Sequence, residues 1–149
     1  MATWQTMADQ APEIAAAGRR LLWIPGVGFG YLATVAAAGF PRIHPVNVTL
    51  HEGRLYLFVV PSPKLADLRR DGRYALHSTG TAEIADEFAI VGSASEVPDP
   101  LVREGVMRSA GYSVADDHVL MELGLDRALW AQWSSPPSWP PTYHRWRSG

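Results

Sequence analysis

Lys64 is the residue whose type and position most clearly predict binding chemistry. It is the only lysine in the chain, and the other twelve basic residues are arginines. It follows Ser62 and Pro63, in a stretch from Pro61 that reads PSPKLADLRRDG. Serine is a preferred N-cap and proline a preferred first helical residue, so a short helix is predicted to begin beside Lys64. A phosphate at this point would meet free N–H groups near Lys64 and Leu65, the Ser62 hydroxyl and the Lys64 ammonium.

The same residues are also compatible with a capped surface helix whose lysine simply faces solvent. The helix motif alone supports the two interpretations equally. The stretch Arg54 to Val60, RLYLFVV, is apolar on both faces and predicts a buried central strand. A helix that begins where a buried strand ends would hold its first-turn donors in a fixed position.

Composition and spacing argue against several other kinds of site. Without cysteine, the chain has no disulfide, thiolate metal cluster or cysteine nucleophile. Its five histidines lack a metal-ligand spacing such as H-E-x-x-H, and no G-x-S-x-G elbow is present. The net charge is −2 and no basic run exceeds Arg69-Arg70, so we expect no nucleic-acid binding. The longest apolar stretch, near residues 31–40, is too short to span a bilayer, and we expect a soluble cytoplasmic protein without membrane contact.

The remaining pattern predicts one domain of short strands. Pro12 and apolar residues at helical spacing predict an N-terminal helix over about 11–23. Residues 26–30, GVGFG, predict a flexible entry to the first strand. Alternation and turn residues predict strands over 31–37, 42–51, 54–60, 74–79 and 88–97, and Asp99-Pro100 predicts a helix that ends near Ala110.

The C-terminal third is harder to assign. In the stretch 118–133, the apolar positions fit a helix and a strand equally well. A Trp- and Pro-rich tail over 134–149 follows, with a possible last strand over 142–147. Four of the six tryptophans lie between 130 and 146, which predicts packing or a subunit interface. Short strands joined by tight turns predict a barrel or a sandwich.

The order of these features resembles the FMN-binding split β-barrel family, the pyridoxamine 5′-phosphate oxidase-like flavin and deazaflavin proteins. The resemblance rests on two strands with a proline inside the second, a glycine turn, an apolar third strand, and then S-x-K with D-L-R-R-D. It is most specific from Tyr31 to about Ser78 and looser over Gly92 to Val97 and the terminal YHRWR. It implies a mainly β fold over residues 1–149: a single six-stranded antiparallel Greek-key split barrel with short flanking helices.

The resemblance also implies a cofactor site enclosed by the two subunits of a homodimer. The cofactor would be FMN or, alternatively, the deazaflavin F420. Ser62 and Lys64 would contact its phosphate, and Arg42 would reach the phosphate or the polar edge of the ring. Val59 and Val60 would line the ribityl chain.

The ring itself would lie against the second strand, flanked by backbone groups of His44, Pro45 and Val46. His44 could also donate to the ring edge, or could simply be a strand residue in solvent. Pro45 has an independent physical meaning, because a residue that cannot donate to a ladder marks a bulge or an edge. Trp146 would reach the partner subunit and close one side of its pocket.

Two departures from the family pattern narrow the function. Pro63 stands where many FMN-binding members have a basic residue, which removes one positive charge from the phosphate site. The terminal YHRWR does not reproduce the arginine and histidine arrangement of true pyridoxamine phosphate oxidases. We therefore expect an FMN- or F420-dependent oxidoreductase acting on another small molecule. The alternatives are a non-catalytic flavin carrier and a haem-binding or haem-degrading relative that uses a histidine such as His144.

Overall fold

The computed structural model describes all 149 residues, which form four helices and seven strands. The helices are α1 (Trp4–Gln10), α2 (Pro12–Leu22), α3 (Pro63–Arg70) and α4 (Pro100–Ala110). The strands are β1 (Gly28–Val35), β2 (Pro41–His51), β3 (Arg54–Val59), β4 (Arg73–His77), β5 (Glu87–Glu96), β6 (Val119–Gln132) and β7 (Thr142–Arg147). No helix combines the length and apolar character needed to cross a membrane.

Six of the strands close into an antiparallel barrel. β1 pairs with β2 and β4, β2 also with β3, β4 with β5, β5 with β6, and β6 returns to β3. Strands β1 to β3 are neighbours and β4 returns to lie beside β1, which is the Greek-key arrangement. β7 pairs only with the second half of β6 and lies outside the ring. The predicted six-stranded split barrel is confirmed, with β7 as an additional strand.

β3 is buried on both faces, as its composition predicted. Leu55, Leu57 and Val59 face the barrel core and are at most 1% exposed. Tyr56 points the other way and is also buried, because Val106 of α4 covers that face. The strand that delivers the chain to α3 is therefore fixed from both sides.

The N-terminal region forms two helices where the sequence predicted one. α2 matches the predicted helix over 11–23, but α1 was missed. The Thr3 hydroxyl accepts a hydrogen bond from the Thr6 N–H at 3.1 Å, and the Thr6 hydroxyl accepts one from the Thr3 N–H at 3.3 Å. This reciprocal capping box defines the start of α1, although threonine stands where glutamate or glutamine is usual. α1 is tied to the core through Trp4 and Met7, which are both buried.

β1 begins at Gly28, earlier than the predicted first strand, and ends at Val35. The prediction of a flexible entry over 26–30 was therefore wrong for Gly28 to Gly30. A Cβ atom on Gly28 would lie 2.1 Å from the Val48 carbonyl oxygen, so the residue must be small for the two strands to approach. The glycine serves close packing inside the sheet rather than flexibility.

The ambiguous stretch 118–133 is a single strand with a bulge. Val91 of β5 pairs with Arg127 of β6, whereas the next residue, Gly92, pairs with Leu125. Asp126 is left without a partner, as expected for a β-bulge.

The bulge explains why the apolar pattern of β6 fitted both the period of a strand and the period of a helix. Met121, Leu123 and Leu125 belong to the core before it, and Ala128 belongs to the core after it. One extra residue shifts the inward-facing set from odd to even positions, so the alternation of a strand is interrupted. The interruption imitates the three- and four-residue spacing of a helix.

Gly92 offers a test of the barrel closure at this bulge. A Cβ atom there would lie 1.8 Å from the Gly124 carbonyl oxygen on β6. Because the clash is with backbone, Gly92→Ala should destabilise the fold by about 2–3 kcal/mol, as overpacking does. For a chain of this length, we expect thermal unfolding to shift down by roughly 5–10 °C. Ser93→Ala, one residue further on, serves as the control and should change little; equal melting temperatures for the two variants would contradict the close approach of β5 and β6.

Candidate functional site

The first turn of α3 leaves one backbone donor for a ligand. Ser62 is the N-cap, as predicted: its hydroxyl oxygen accepts from the Leu65 N–H at 3.3 Å and its carbonyl from the Ala66 N–H at 3.2 Å. Pro63 has no N–H to offer. Among residues 63–65, only Lys64 keeps an N–H that the helix cannot satisfy itself. The expectation that the Leu65 N–H is also free was wrong, because the Ser62 side chain already bonds it.

The Lys64 amine lies at the same point and has no counter-ion in the chain. Lys64 takes part in none of the ion pairs of the structure. Its side chain is half-buried, and burial lowers the pKa of the amine from its usual value. The Ser62 hydroxyl, in contrast, donates to the Val60 carbonyl at 2.8 Å and is already engaged. Lys64 therefore offers both an N–H and an uncompensated cation at one helix terminus.

The orientation of α3 is set by a buried carboxylate that the sequence analysis did not single out. Asp67 is 2% exposed, and its Oδ2 accepts from the Thr34 hydroxyl of β1 and from Arg42 Nε of β2, both at 2.8 Å. Arg70 donates to the other oxygen at 3.1 Å and also to the Val35 carbonyl. One carboxylate thus joins α3 to two strands. The only hint in the sequence is that Asp67 directly precedes the inward-facing Leu68.

These bonds hold the pKa of Asp67 far below its usual range. The hydrogen bond from Arg42 is the largest cause, and the bonds from Thr34 and Arg70 add to it, so the pKa falls from 3.8 to about 2. The carboxylate is ionised at every pH at which the chain is expected to work. Arg42 is consequently oriented by Asp67, with its side chain still more than a third exposed.

His44 lies beside Lys64 and Arg42 and carries an unsatisfied nitrogen. Its Nε2 is buried and has no hydrogen-bond partner. Burial, followed by the positive charges of Lys64 and Arg42, lowers the pKa of the ring, so His44 is neutral near pH 7. A buried ring nitrogen without a partner is uncommon in a folded protein and marks a place where a ligand atom can complete a bond.

The strand that carries Arg42 and His44 has an open edge. β2 pairs with β1 from Pro41 to Val48, but with β3 only over Thr49 to His51. The outer edge of the first eight residues of β2 therefore faces no other strand. Pro45 lies within this segment, opposite Tyr31, so its predicted edge position is confirmed.

The other residues predicted to contact the cofactor differ in the exposure of their side chains. Val60 is 43% exposed and Pro45 is also exposed, so both side chains are accessible. Val46 and Val59 belong to the core, so any contact with a cofactor would involve their backbone. Trp146 is buried too, and its indole N–H donates to Gln10 of α1 at 2.8 Å. The structure gives Trp146 a role in packing its own subunit.

The remaining histidines do not join the site. Each is paired with a neighbouring side chain: His51 with Ser109, His77 with Glu87, His118 with Asp117 and His144 with Gln132. His144 also stacks on Trp130, with ring centroids 4.4 Å apart. No group of three histidine, aspartate or glutamate side chains is placed to hold a metal ion.

Comparison with solved structures identifies the fold. A haem-binding protein from Mycobacterium smegmatis superposes with a TM-score of 0.65 and 18% identity, over 87% of this chain and 57% of its own. A NimC/NimA family protein from Clostridium acetobutylicum gives 0.65 and 16%, over 88% and 94%. A third protein, from Clostridium acetobutylicum and related to general stress protein 26 of the pyridoxinephosphate oxidase family, gives 0.61 and 12%, over 94% of each chain.

These similarities define the chain as a split β-barrel of the pyridoxamine 5′-phosphate oxidase-like fold. This chain spans only a little over half of the mycobacterial haem-binding protein. No protein-family model matches the sequence, and no curated protein matches it significantly. The fold is shared with these proteins, whereas the sequence has diverged from them.

Asp67 predicts a specific pH dependence. An aspartate whose pKa is lowered on folding stabilises the fold above its unfolded pKa, and that contribution is lost as the pH falls through the folded value. Asp67→Asn should lower the free energy of unfolding at pH 7 by roughly 2–3 kcal/mol, somewhat less than for a fully buried pair because both arginines contact water.

The measurement is urea denaturation of both proteins at pH 7 and near pH 2. The difference between them should shrink as the pH falls from 3.8 towards about 2. Asp71 and Glu96 also have lowered pKa values but are present in both proteins, so the comparison isolates Asp67. A difference that stays constant over this range would contradict the role given to the Asp67 bonds.

Proposed function

We propose that the chain binds a phosphate-bearing flavin, FMN or the deazaflavin F420, and acts as an oxidoreductase. One observation carries this proposal: the uncompensated amine and free N–H of Lys64 lie near the unsatisfied Nε2 of His44. Phosphate binds readily at a helix N-terminus that also offers a cation. A ring with polar edges would then reach His44 and the open edge of β2.

The residues present fit such a cofactor, and they offer its phosphate little positive charge. Lys64 is the only cation at the start of α3, and the Nε of Arg42 is already bonded to Asp67. Pro63 adds neither a charge nor an N–H. A site of this kind suits the singly charged phosphodiester of F420 as well as the doubly charged phosphate of FMN, which is why both cofactors belong in the test.

The chemistry would come from the cofactor and the positioning from the chain. A flavin or deazaflavin supplies hydride or electron transfer when bound. Lys64 and its N–H would fix the phosphate, and Arg42 would be held at the polar end by Asp67. His44, neutral near pH 7, would meet an edge of the ring. No side chain stands in the position of an obvious general acid or base, which agrees with this division of labour.

A homodimer would complete the site, and the outer face of the β1–β2 hairpin is the proposed contact. Tyr31 is opposite Pro45 and Ala33 is opposite Ile43, so these four side chains share one face of the sheet. Tyr31 is 47% exposed and Ile43 is 67% exposed. This apolar face borders the open edge of β2, so a second subunit there would cover the cofactor from outside.

The cofactor proposal predicts that Lys64→Ala weakens binding. Purified protein is titrated with FMN and with F420, followed by fluorescence and by the rise in melting temperature. Loss of one charge-assisted contact to phosphate, worth roughly 1.5–3 kcal/mol, should raise Kd by about ten- to a hundredfold. Arg108→Ala, an exposed cation on α4 without an ion pair, serves as the matched control and should leave Kd unchanged.

Three results would separate the alternatives. If neither cofactor binds, the flavin proposal is wrong, and a Soret band would instead indicate haem. If a flavin binds with equal affinity to Lys64→Ala, the phosphate lies elsewhere. If binding is confirmed but neither reduced nicotinamide nor reduced F420 supports turnover, the chain is a carrier rather than an enzyme.

The dimer proposal predicts a change of mass on Ile43→Asp. A charge placed in the apolar face should convert a dimer into a monomer of 16.3 kDa, measured by light scattering after size exclusion. Leu101→Asp is the matched control, because Leu101 is 74% exposed but lies on α4. A wild-type monomer, or a dimer that survives Ile43→Asp, would show that this face is not the interface.

A further inference from the structure

A cavity of about 230 Å³ lies beside residues 47–50 of β2, towards the end of the strand away from Arg42 and His44. It is bounded by the end of α2, the start of β1, the last residues of β2 and the end of α4. Neither the proposed flavin contacts nor the proposed dimer contact use the polar side chains that line it. The cavity is smaller than the 300–1,000 Å³ usual for drug-sized ligands, so its occupant would be a small molecule.

Arg19 supplies a positioned cation at this cavity. Its guanidinium carbon lies 4.0 Å from the centroid of the Trp23 ring. Stacking on an indole leaves the edge of the guanidinium, with its N–H donors, open to a planar acceptor. Arg19 takes part in none of the ion pairs of the chain, so that edge has no carboxylate of the protein to bind.

Polar groups of β2 add to the same cavity. Thr49 is 7% exposed and lines the cavity, and its hydroxyl makes none of the side-chain hydrogen bonds of the structure. Asn47 also lines it, but its amide nitrogen donates to the Gly28 carbonyl at 3.1 Å. Thr49 thus offers a nearly buried donor, and Asn47 offers its amide oxygen.

Part of the remaining wall is apolar. Leu50 and Ala110 contribute aliphatic surface and Tyr112 contributes an aromatic ring, whereas Val48 is a core residue only 3% exposed. A cation and a hydroxyl donor, combined with aliphatic and aromatic groups in the same lining, match a carboxylate attached to a small apolar body.

We propose that this cavity binds a small organic acid. The carboxylate would bind the edge of the Arg19 guanidinium and the Thr49 hydroxyl, and the apolar body would pack against Leu50, Ala110 and Tyr112. The site does not depend on the flavin proposal.

The test uses the full chain and sodium benzoate as the probe, with benzamide as its uncharged counterpart. Binding is followed by the shifts of the Arg19 Nε–H and Trp23 indole signals in ¹H–¹⁵N NMR spectra. Because the guanidinium is solvent-exposed, we expect Kd for benzoate in roughly the millimolar range, and benzamide at least about tenfold weaker.

Variants separate the named contacts from general effects. Arg19→Gln should weaken benzoate binding by about tenfold or more, and Thr49→Val, which removes the hydroxyl at nearly constant volume, by about threefold or more. Arg20→Gln is the matched control, because Arg20 is the neighbouring residue on the same helix but lies 3.6 Å from Asp86 instead. Its benzoate affinity should equal that of the wild type.

Several outcomes would overturn the proposal. They are the absence of shifts with benzoate, equal binding of benzamide, and unchanged affinity in Arg19→Gln with a native spectrum. Inorganic phosphate that binds as tightly as benzoate would show a general anion site and no preference for an organic acid. Because the site does not depend on the flavin proposal, benzoate binding by a chain that binds no flavin would still support it.

Discussion

The arrangement of the candidate site depends on the buried carboxylate of Asp67. It accepts hydrogen bonds from Thr34, Arg42 and Arg70, and so connects β1, β2 and α3 at one point. Together with Leu65 and Leu68, which anchor α3 in the core, it fixes the start of the helix relative to the strand that carries His44. A charge this deeply buried is stable only because three donors surround it, and its low pKa is the measure of that stabilisation. The same carboxylate engages Arg42 through its Nε, and part of the Arg42 side chain stays exposed.

The strands of the barrel pair over unequal lengths, and this leaves an open edge of β2 at the candidate site. β3 pairs with β2 over only three residues and with β6 over five. The first eight residues of β2 are consequently left with one neighbouring strand. An open strand edge is normally a liability for a protein, because it invites pairing with other chains. Here Pro45 and the nearby arginine and histidine occupy the edge, and a bound cofactor or a second subunit would cover it.

The sequence predicted most of the fold because its strands and turns follow simple local rules. Alternation and turn residues located the strands to within about three residues, and Ser62 and Asp99 correctly marked the starts of two helices. β6 could not be assigned because the bulge at Asp126 breaks the alternation, which depends on a partner strand that the local pattern does not show. α1 was missed because a threonine takes the place of the usual acidic residue in its capping box.

The site was predicted less completely, for a physical reason. Lys64 and Ser62 were identified from local rules of helix capping, which a sequence displays directly. Asp67 was not, because its importance comes from residues thirty-three and twenty-five positions away that only the folded chain brings together. The burial of Val59 and Trp146 likewise depends on which face of each strand points inward, and in β7 the short sequence does not decide this.

The solitary status of Lys64 also has a practical chemical consequence. Its ε-amine is the only one in the protein, and burial lowers its pKa, so a larger share than usual is unprotonated at neutral pH. Acylating reagents that attack amines would therefore find a single target side chain, in addition to the α-amino group of the chain. The start of α3 is thus chemically addressable in the native sequence, so a spectroscopic label can be attached there without introducing any new residue.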